Sequence, residues 1–337
     1  MRKSMLMCLV ALMLSFTLLG PFPVQAQGKM HIIDKWHSMV HAFNAKDPVI
    51  LTVAPGDVVV AETRFITDPN KYWGPNTTLE EFKGIKWPGH PLFGPIYVEG
   101  AEPGDILEVR ILDVKTSPWA VTFINVPWRT GTSFLPDEFK NLYLRHYNDI
   151  DLDKGVLKFS PGVEIPIAPF MGVMAVAPPP EEGSLSTPPP RRYGGNMDWN
   201  FLVKGSTLYL PVINKGALFY VGDGHVVQGD GEVATSAAEG HNTVKFQLLV
   251  KKGRKIDWPE AENDKYYATA GFHEDLKKAG QIALHNMINY LVDVKGFSSR
   301  EEALCFCTLA IEMRIIEVVD GNLGIAVLLP KSVFKSK

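Results

Sequence analysis

Cysteine is nearly missing from this chain: three residues in 337. Cys8 lies in an apolar leader, which leaves Cys305 and Cys307. These stand two apart in a helical pattern, so their side chains point to different faces, and a disulfide between them would be strained. They read as two buried small hydrophobes rather than a redox or metal centre. A dominant charge sign is missing too. The formal net charge is -3 and no long basic run occurs, which argues against a nucleic-acid partner. There is no Walker A motif, no dinucleotide fingerprint and no Gly-x-Ser-x-Gly elbow, although Ser184 and Ser186 leave a serine nucleophile open. Beyond the N-terminus no stretch is long and apolar enough to span a bilayer.

What is present begins with a leader. Arg2 and Lys3 precede an apolar run over residues 5–19, broken only by Ser15 and Thr17. Pro21, Pro23 and an A-x-A-like Val24-Gln25-Ala26 follow. This pattern predicts a signal peptide over residues 1–26, removed after Ala26, with a soluble periplasmic or secreted product. The rest has ordinary globular composition, 21% charged and 46% apolar, enough for one large domain or two of usual size.

Residues 30–255 read as strands and turns, and residues 256–337 as a smaller α/β portion. Val-Ile-Leu-Thr-Val at 49–53, the turn Pro55-Gly56-Asp57 and a second valine run form strand, turn, strand. Glu102-Pro103-Gly104-Asp105 repeats the punctuation before alternating apolar positions at 107–114. The fold class expected is mainly β, an antiparallel β-sandwich or barrel. Residues 161–194 are rich in proline and glycine but contain the apolar segment 170–177, and read as an ordered crossing near a site. Helical periodicity covers residues 273–294, with His273 at its start. A second helix opens at Ser298 or Ser299 with a carboxylate in its first turn and runs to about Leu309 or Glu312. Residues 315–319 and 324–329 look like closing strands.

Two segments concentrate polar groups beyond structural need. One is Gly194-Gly195-Asn196-Met197-Asp198-Trp199-Asn200. The other runs from Gly222-Asp223-Gly224-His225 through Gln228-Gly229-Asp230-Gly231-Glu232. On an extended chain Asp223 and His225 share a face, as do Asp230 and Glu232, and glycines permit tight turns. Carboxylate plus imidazole on one face is a ligand set for a divalent cation. Asp198 can complete it, and Asn196 can add a carbonyl oxygen. The plainer alternative is a glycine-rich hairpin whose aspartates bond turn amides. His31, His37 and His41 lack reliable metal spacing and read as surface residues.

At these motifs the sequence resembles the acetamidase/formamidase family. The matching text includes residues 94–105, residues 186–198, Leu208-Tyr209-Leu210-Pro211-Val212, Gly216-Ala217-Leu218-Phe219, Gly222-Asp223-Gly224-His225, residues 228–233 and Leu329-Pro330-Lys331-Ser332. The resemblance implies one family domain over 27–337, a β-rich fold, a homo-oligomer such as a dimer, a divalent metal (zinc, with calcium as the alternative) and hydrolysis of formamide or acetamide. Where family members commonly carry an aspartate after Glu62-Thr63-Arg64, this chain has Phe65, and the later family segment reads Glu312-Met313-Arg314-Ile315. Metal-assisted amide hydrolysis assigns Asp198, Asp223 and His225 to the metal, Glu232 and Glu239 to proton transfer, and Asn196 to the developing oxyanion. Rival readings are a periplasmic binding protein on the same scaffold and a hydrolase of another C–N bond, such as a carbamate.

Overall fold

The computed structural model describes residues 28–33, 39–63, 66–68, 71–72, 74–85, 87–126 and 131–335. The leader over 1–26, His37 and Phe65 lie outside them.

Alternating apolar positions build the centre of the fold. In strand Asn242–Lys251, Val244, Phe246 and Leu248 are buried while the residues between them are not, the period-two pattern of a sheet with one face inward. This strand lies between Val58–Thr63 and Ile106–Thr116, both antiparallel to it. Among the described residues the sheet continues through Thr207–Pro211, Glu260–Glu262, Tyr266–His273 and Leu323–Pro330 to the edge strand Glu312–Ile315. A second sheet orders Tyr143–Tyr147, Ala120–Ile124, Ala238–Glu239, Phe219–Val227, Phe170–Val176 and Gly194–Asn196, with Leu92–Val98 also on Phe219–Val227. The core between the sheets includes Phe93, Met171, Met174, Phe219, Val221, Phe246 and Leu248. The molecule is therefore mostly β, and among the described strands pairing is antiparallel except where Met30–Ile33 meets Val58–Thr63 and Leu51–Val53 meets Leu92–Val98, which run parallel.

The other face of the first sheet is covered by helix Leu276–Asp293. Its Ala279, Ala283, Met287 and Leu291 pack on Val327 and Leu329, spaced as one helical stripe. Gly271 makes this approach possible: a Cβ there would stand 2.3 Å from the Ala279 carbonyl oxygen. Asp275 caps the helix, accepting from the Lys278 amide at 3.0 Å. Residue 273 is not helical, contrary to the periodicity. His273 ends the strand Tyr266–His273, and its Nδ1 accepts the Asp275 amide at 2.9 Å. Ser299 caps helix Arg300–Ala310, and Glu302 reaches back to the Ser298 amide. Cys307 is buried there as expected, but Cys305 is exposed, since neighbours two apart on a helix cannot both face the core.

The last correction bears on function. The closing strand read at 315–319 stops at Ile315. Glu317 turns its carboxylate onto the amides of Val319 and Asp320, at 2.8 and 3.0 Å, which curls the chain out of the ladder. The loop 316–322 that results points at the second sheet.

Candidate active site

The site grows from strand Phe219–Val227, which pairs with Phe170–Val176 in the register Phe170 to His225, Met171 to Gly224 and Val173 to Gly222. Asp223 breaks the regular strand with φ 61°. The residue facing this irregularity is Gly172. A Cβ on it would lie 2.5 Å from both Asp198 Oδ1 and Asp223 Oδ2, so the acidic groups rest directly on bare backbone. The Gly172 carbonyl also accepts the amides of Met197 and Asp198, at 3.0 and 3.2 Å. That contact turns Asp198 inward at φ 46°, and Glu232 enters from its loop at φ 46° as well. Left-handed backbone is uncommon for aspartate and rarer for glutamate, and such strain clusters at functional sites.

These turns gather one group of side chains. His225 Nε2 lies 3.2 Å from Asp223 Oδ2, 3.3 Å from Glu239 Oε2 and 3.8 Å from Asp198 Oδ1. Two ligand sets share this imidazole, Asp198–His225–Glu232 and Asp223–His225–Glu239. The tautomer follows from the next contact. Gln228 donates its amide to the Asp198 carbonyl at 2.7 Å, so its Oε1, 2.9 Å from His225 Nδ1, must accept. The proton on Nδ1 leaves Nε2 aimed at the carboxylates, the outer support typical of a metal-binding histidine. Asn196 donates to Asp198 Oδ2 at 2.5 Å and to Asp320 Oδ2. Asp198 Oδ1, Glu239 Oε2 and Asn196 Oδ1 are buried with no hydrogen-bond partner. Buried oxygens in that state are costly unless something binds them.

The electrostatics agree. Burial pushes the Asp198 and Glu232 carboxyls well above the usual carboxylate range, and neighbouring carboxylates add to it. Burial and its acidic neighbours likewise raise Glu239 and Asp320. Burial alone would lower His225, but Glu239 and Asp223 overcome it and hold the imidazole well above its ordinary value. His90 is held low by burial despite Asp223. No lysine or arginine among the described residues pairs with this group. A cluster of carboxylates with no lysine or arginine, around an imidazole nitrogen that can give up its proton to a cation, with orphaned oxygens pointing inward, fits a divalent cation by donor chemistry. His225, Asp223 and Glu239 form the tightest set to hold it.

A cavity of about 120 Å3 opens on the group. Trp87, Phe123, Val126, Pro188 and Val319 form apolar walls; His90, Asp223, Glu232, Glu239 and Asp320 supply the polar side.

The description of the acetamidase/formamidase family matches residues 23–182 and 180–336. The chain belongs to the acetamidase/formamidase family. It is 30% identical over 279 residues to a formamidase of Methylophilus methylotrophus, covering 67% of this chain and 66% of that protein. It is 27% identical over 260 residues to an acetamidase of Mycolicibacterium smegmatis, covering 59% and 61%. The matches thus span less than two thirds of either curated relative. A crystal structure of a predicted acetamidase/formamidase from Thermoanaerobacter tengcongensis superposes with TM-score 0.81 at 29% identity, over 90% of this chain and 97% of that one.

Within this acetamidase/formamidase fold, the residues expected from sequence fall in three places. Asn196, Asp198, Asp223, His225, Glu232 and Glu239 all meet at the site. Asn196 has both amide hydrogens spent on Asp198 and Asp320, so its free atom is a carbonyl oxygen rather than an oxyanion donor. Asp230 does not join Glu232. It lies outside, gripped by Arg314 at 2.7 and 2.9 Å and by Asn200 at 2.8 Å, because the φ of Glu232 cancels the two-residue alternation. Ser184 and Ser186 are exposed, and Ser186 donates to the Pro188 carbonyl. His31 bonds Asp57 at 2.8 Å and His41 the Gly89 carbonyl at 3.0 Å; both are half-buried and partnered rather than simple surface residues. His90, Asp320 and Gly172 are additions. His90 stands 3.9 Å from Asp223, with Nδ1 on Thr187 and its ring against Trp87. Nothing in its local sequence marks it. Asp320 carries only the weak signal of an acidic residue in a turn.

Proposed function

We propose that the protein hydrolyses small linear amides to a carboxylic acid and ammonia with the help of a divalent cation, zinc by preference. The observation that carries this reading is His225, its Nδ1 held by Gln228 and its Nε2 facing Asp223 and Glu239 at the end of a small cavity. The names of the relatives, acetamidase and formamidase, point to the same substrate class.

A cation held by His225, Asp223 and Glu239 would supply carbonyl polarisation and a more acidic water. The chain's own groups do the rest. Glu232 lines the cavity, and its raised carboxyl suits a group that takes a proton from water and gives it to the departing nitrogen near neutral pH. Asn196 bridges Asp198 and Asp320 by donating to each. The apolar walls exclude water and leave about 120 Å3, small against the roughly 300–1,000 Å3 of sites for drug-sized ligands. That volume favours amides of a few heavy atoms.

Ammonia release from formamide and acetamide, measured on purified protein with and without added Zn2+, tests the reading. Turnover that a chelator abolishes and Zn2+ restores is the expected outcome. Cation binding without turnover of any small amide or carbamate would instead favour a binding protein. Export follows from the leader over residues 1–26, and N-terminal sequencing should find a chain beginning near Gln27; Met1 on a soluble cytoplasmic product contradicts it.

A further inference from the structure

We infer that Glu317 is a positioning residue: it shapes the loop 316–322 so that Asp320 reaches across and orients the Asn196 amide shared with Asp198. The inference rests on the functional reading above and adds the C-terminal portion of the chain to the site. Glu317 is fully buried, on a loop between two strands of the other sheet. Its Oε2 accepts the Val319 and Asp320 amides at 2.8 and 3.0 Å. Two amides on one carboxylate oxygen fix the turn that aims Asp320, whose own Oδ2 accepts from Asn196. Asn196 then donates to Asp198 Oδ2 at 2.5 Å. The amide is thereby held between two carboxylates, and the second Asp198 oxygen stays turned toward His225.

A second set of contacts shows the same loop acting on Glu232. The Gly231 amide donates to the Ile316 carbonyl at 3.0 Å, and the Val318 amide donates to the Gly231 carbonyl at 3.1 Å. One residue on, Glu232 turns into the cavity. The Arg314–Asp230 pair clasps the same two segments from outside. The turn that Glu317 makes is stitched to both acidic arms of the site.

Because the role is acceptance of two amides, an amide oxygen can fill it. E317A removes the acceptor, whereas E317Q keeps an oxygen in place. Supporting residues of this kind change metal affinity or activity about 10- to 100-fold. Isothermal titration of Zn2+ into chelator-stripped full-length protein should show affinity reduced about tenfold in E317A, rescued in E317Q and reduced similarly in D320A. The double variant E317A/D320A should be no weaker than either single one, as for residues acting in one chain of contacts. Unchanged affinity in a folded E317A overturns the inference, as do additive losses or an E317Q as weak as E317A. If E317A does not fold, D320A and E317Q decide it: wild-type affinity in D320A, or no rescue in E317Q, overturns it. Wild-type protein that neither binds Zn2+ nor releases ammonia from acetamide defeats the functional reading instead, so the two failures are distinct.

Discussion

Two groups of buried or half-buried carboxylates are treated in opposite ways by the molecule. On the helix-covered side of the first sheet, Glu108 meets Arg110 at 2.5 Å and Lys251 at 3.1 Å, Glu260 makes two bonds to Arg254, and Glu262 binds Lys331 at 2.6 Å. Each buried charge has a fixed partner, the condition under which an ion pair is tolerated inside a protein. At the candidate active site, Asp198, Asp223, Glu232, Glu239 and Asp320 have only His90 and His225 among the described residues. A fold able to neutralise one cluster so fully has left the other short of positive charge. The difference singles out the second as the group whose imidazole and carboxylates could hold a cation.

The sharpest way to break this contrast is to remove one charged group from each cluster. Glu232→Gln keeps size and removes a proton acceptor; kcat should fall about 10²- to 10⁴-fold with melting temperature nearly unchanged. A drop in melting temperature matched by loss of folded protein would make Glu232 structural, and full activity in a stable variant would hand its role to Glu239. Arg254→Ala in the outer cluster should do the reverse. It strands Glu260, which is buried and already held above the usual carboxylate range by that burial, at a cost of about 1–3 kcal/mol. Chemical denaturation should show the loss, while acetamide turnover per folded molecule stays at the wild-type level.

How far the sequence foretold this contrast depends on local chain geometry. The meander 194–232 was legible because glycines and acidic residues are packed there more densely than turns require, and Asp223 and His225 do meet although Asp223 leaves the extended conformation. The same reasoning paired Asp230 with Glu232 and failed. Alternation assumes an extended backbone, and left-handed Gly231 and Glu232 send the Glu232 side chain to the other side. The strand and helix order was readable from period-two and helical stripes, as Val244, Phe246 and Leu248 or Ala279, Ala283 and Met287 show. Residues 315–319 read as strand because Ile315, Ile316, Val318 and Val319 are β-branched; what stops the ladder after Ile315 is the tertiary contact of Gly231 and the inward carboxylate of Glu317. His90 comes from a distant segment and is brought in only by strand pairing.

Two smaller effects refine the comparison. In cation-free protein the raised Asp198, Glu232 and His225 groups favour their protonated forms in the folded state. A folded value above the unfolded one means the native state holds more protons, so stability is full at low pH and falls as pH rises toward the folded values. Each such proton contributes a slope of about 1.4 kcal/mol per pH unit within its window. Denaturation of chelator-stripped protein should therefore show stability declining as pH rises above the ordinary carboxylate range, offset in part by His90, whose lowered value works the other way, and saturating Zn2+ should flatten the decline. An identical slope with and without cation counts against the site. The smallest expected effect is at the cysteines. Burial raises the Cys307 thiol to about 11, so near pH 8 a maleimide should label the exposed Cys305 and leave Cys307 untouched until the protein unfolds; equal labelling would show that the helix packing is wrong.

The most direct test of the claim that the inner cluster is a cation site is a calorimetric titration of Zn2+ into chelator-stripped protein, run beside His225→Ala. The account predicts saturable binding in the wild type, accompanied by a rise in melting temperature, and loss of both in the variant. Wild-type protein that binds no Zn2+, or a His225→Ala protein that binds it equally well, would contradict the account.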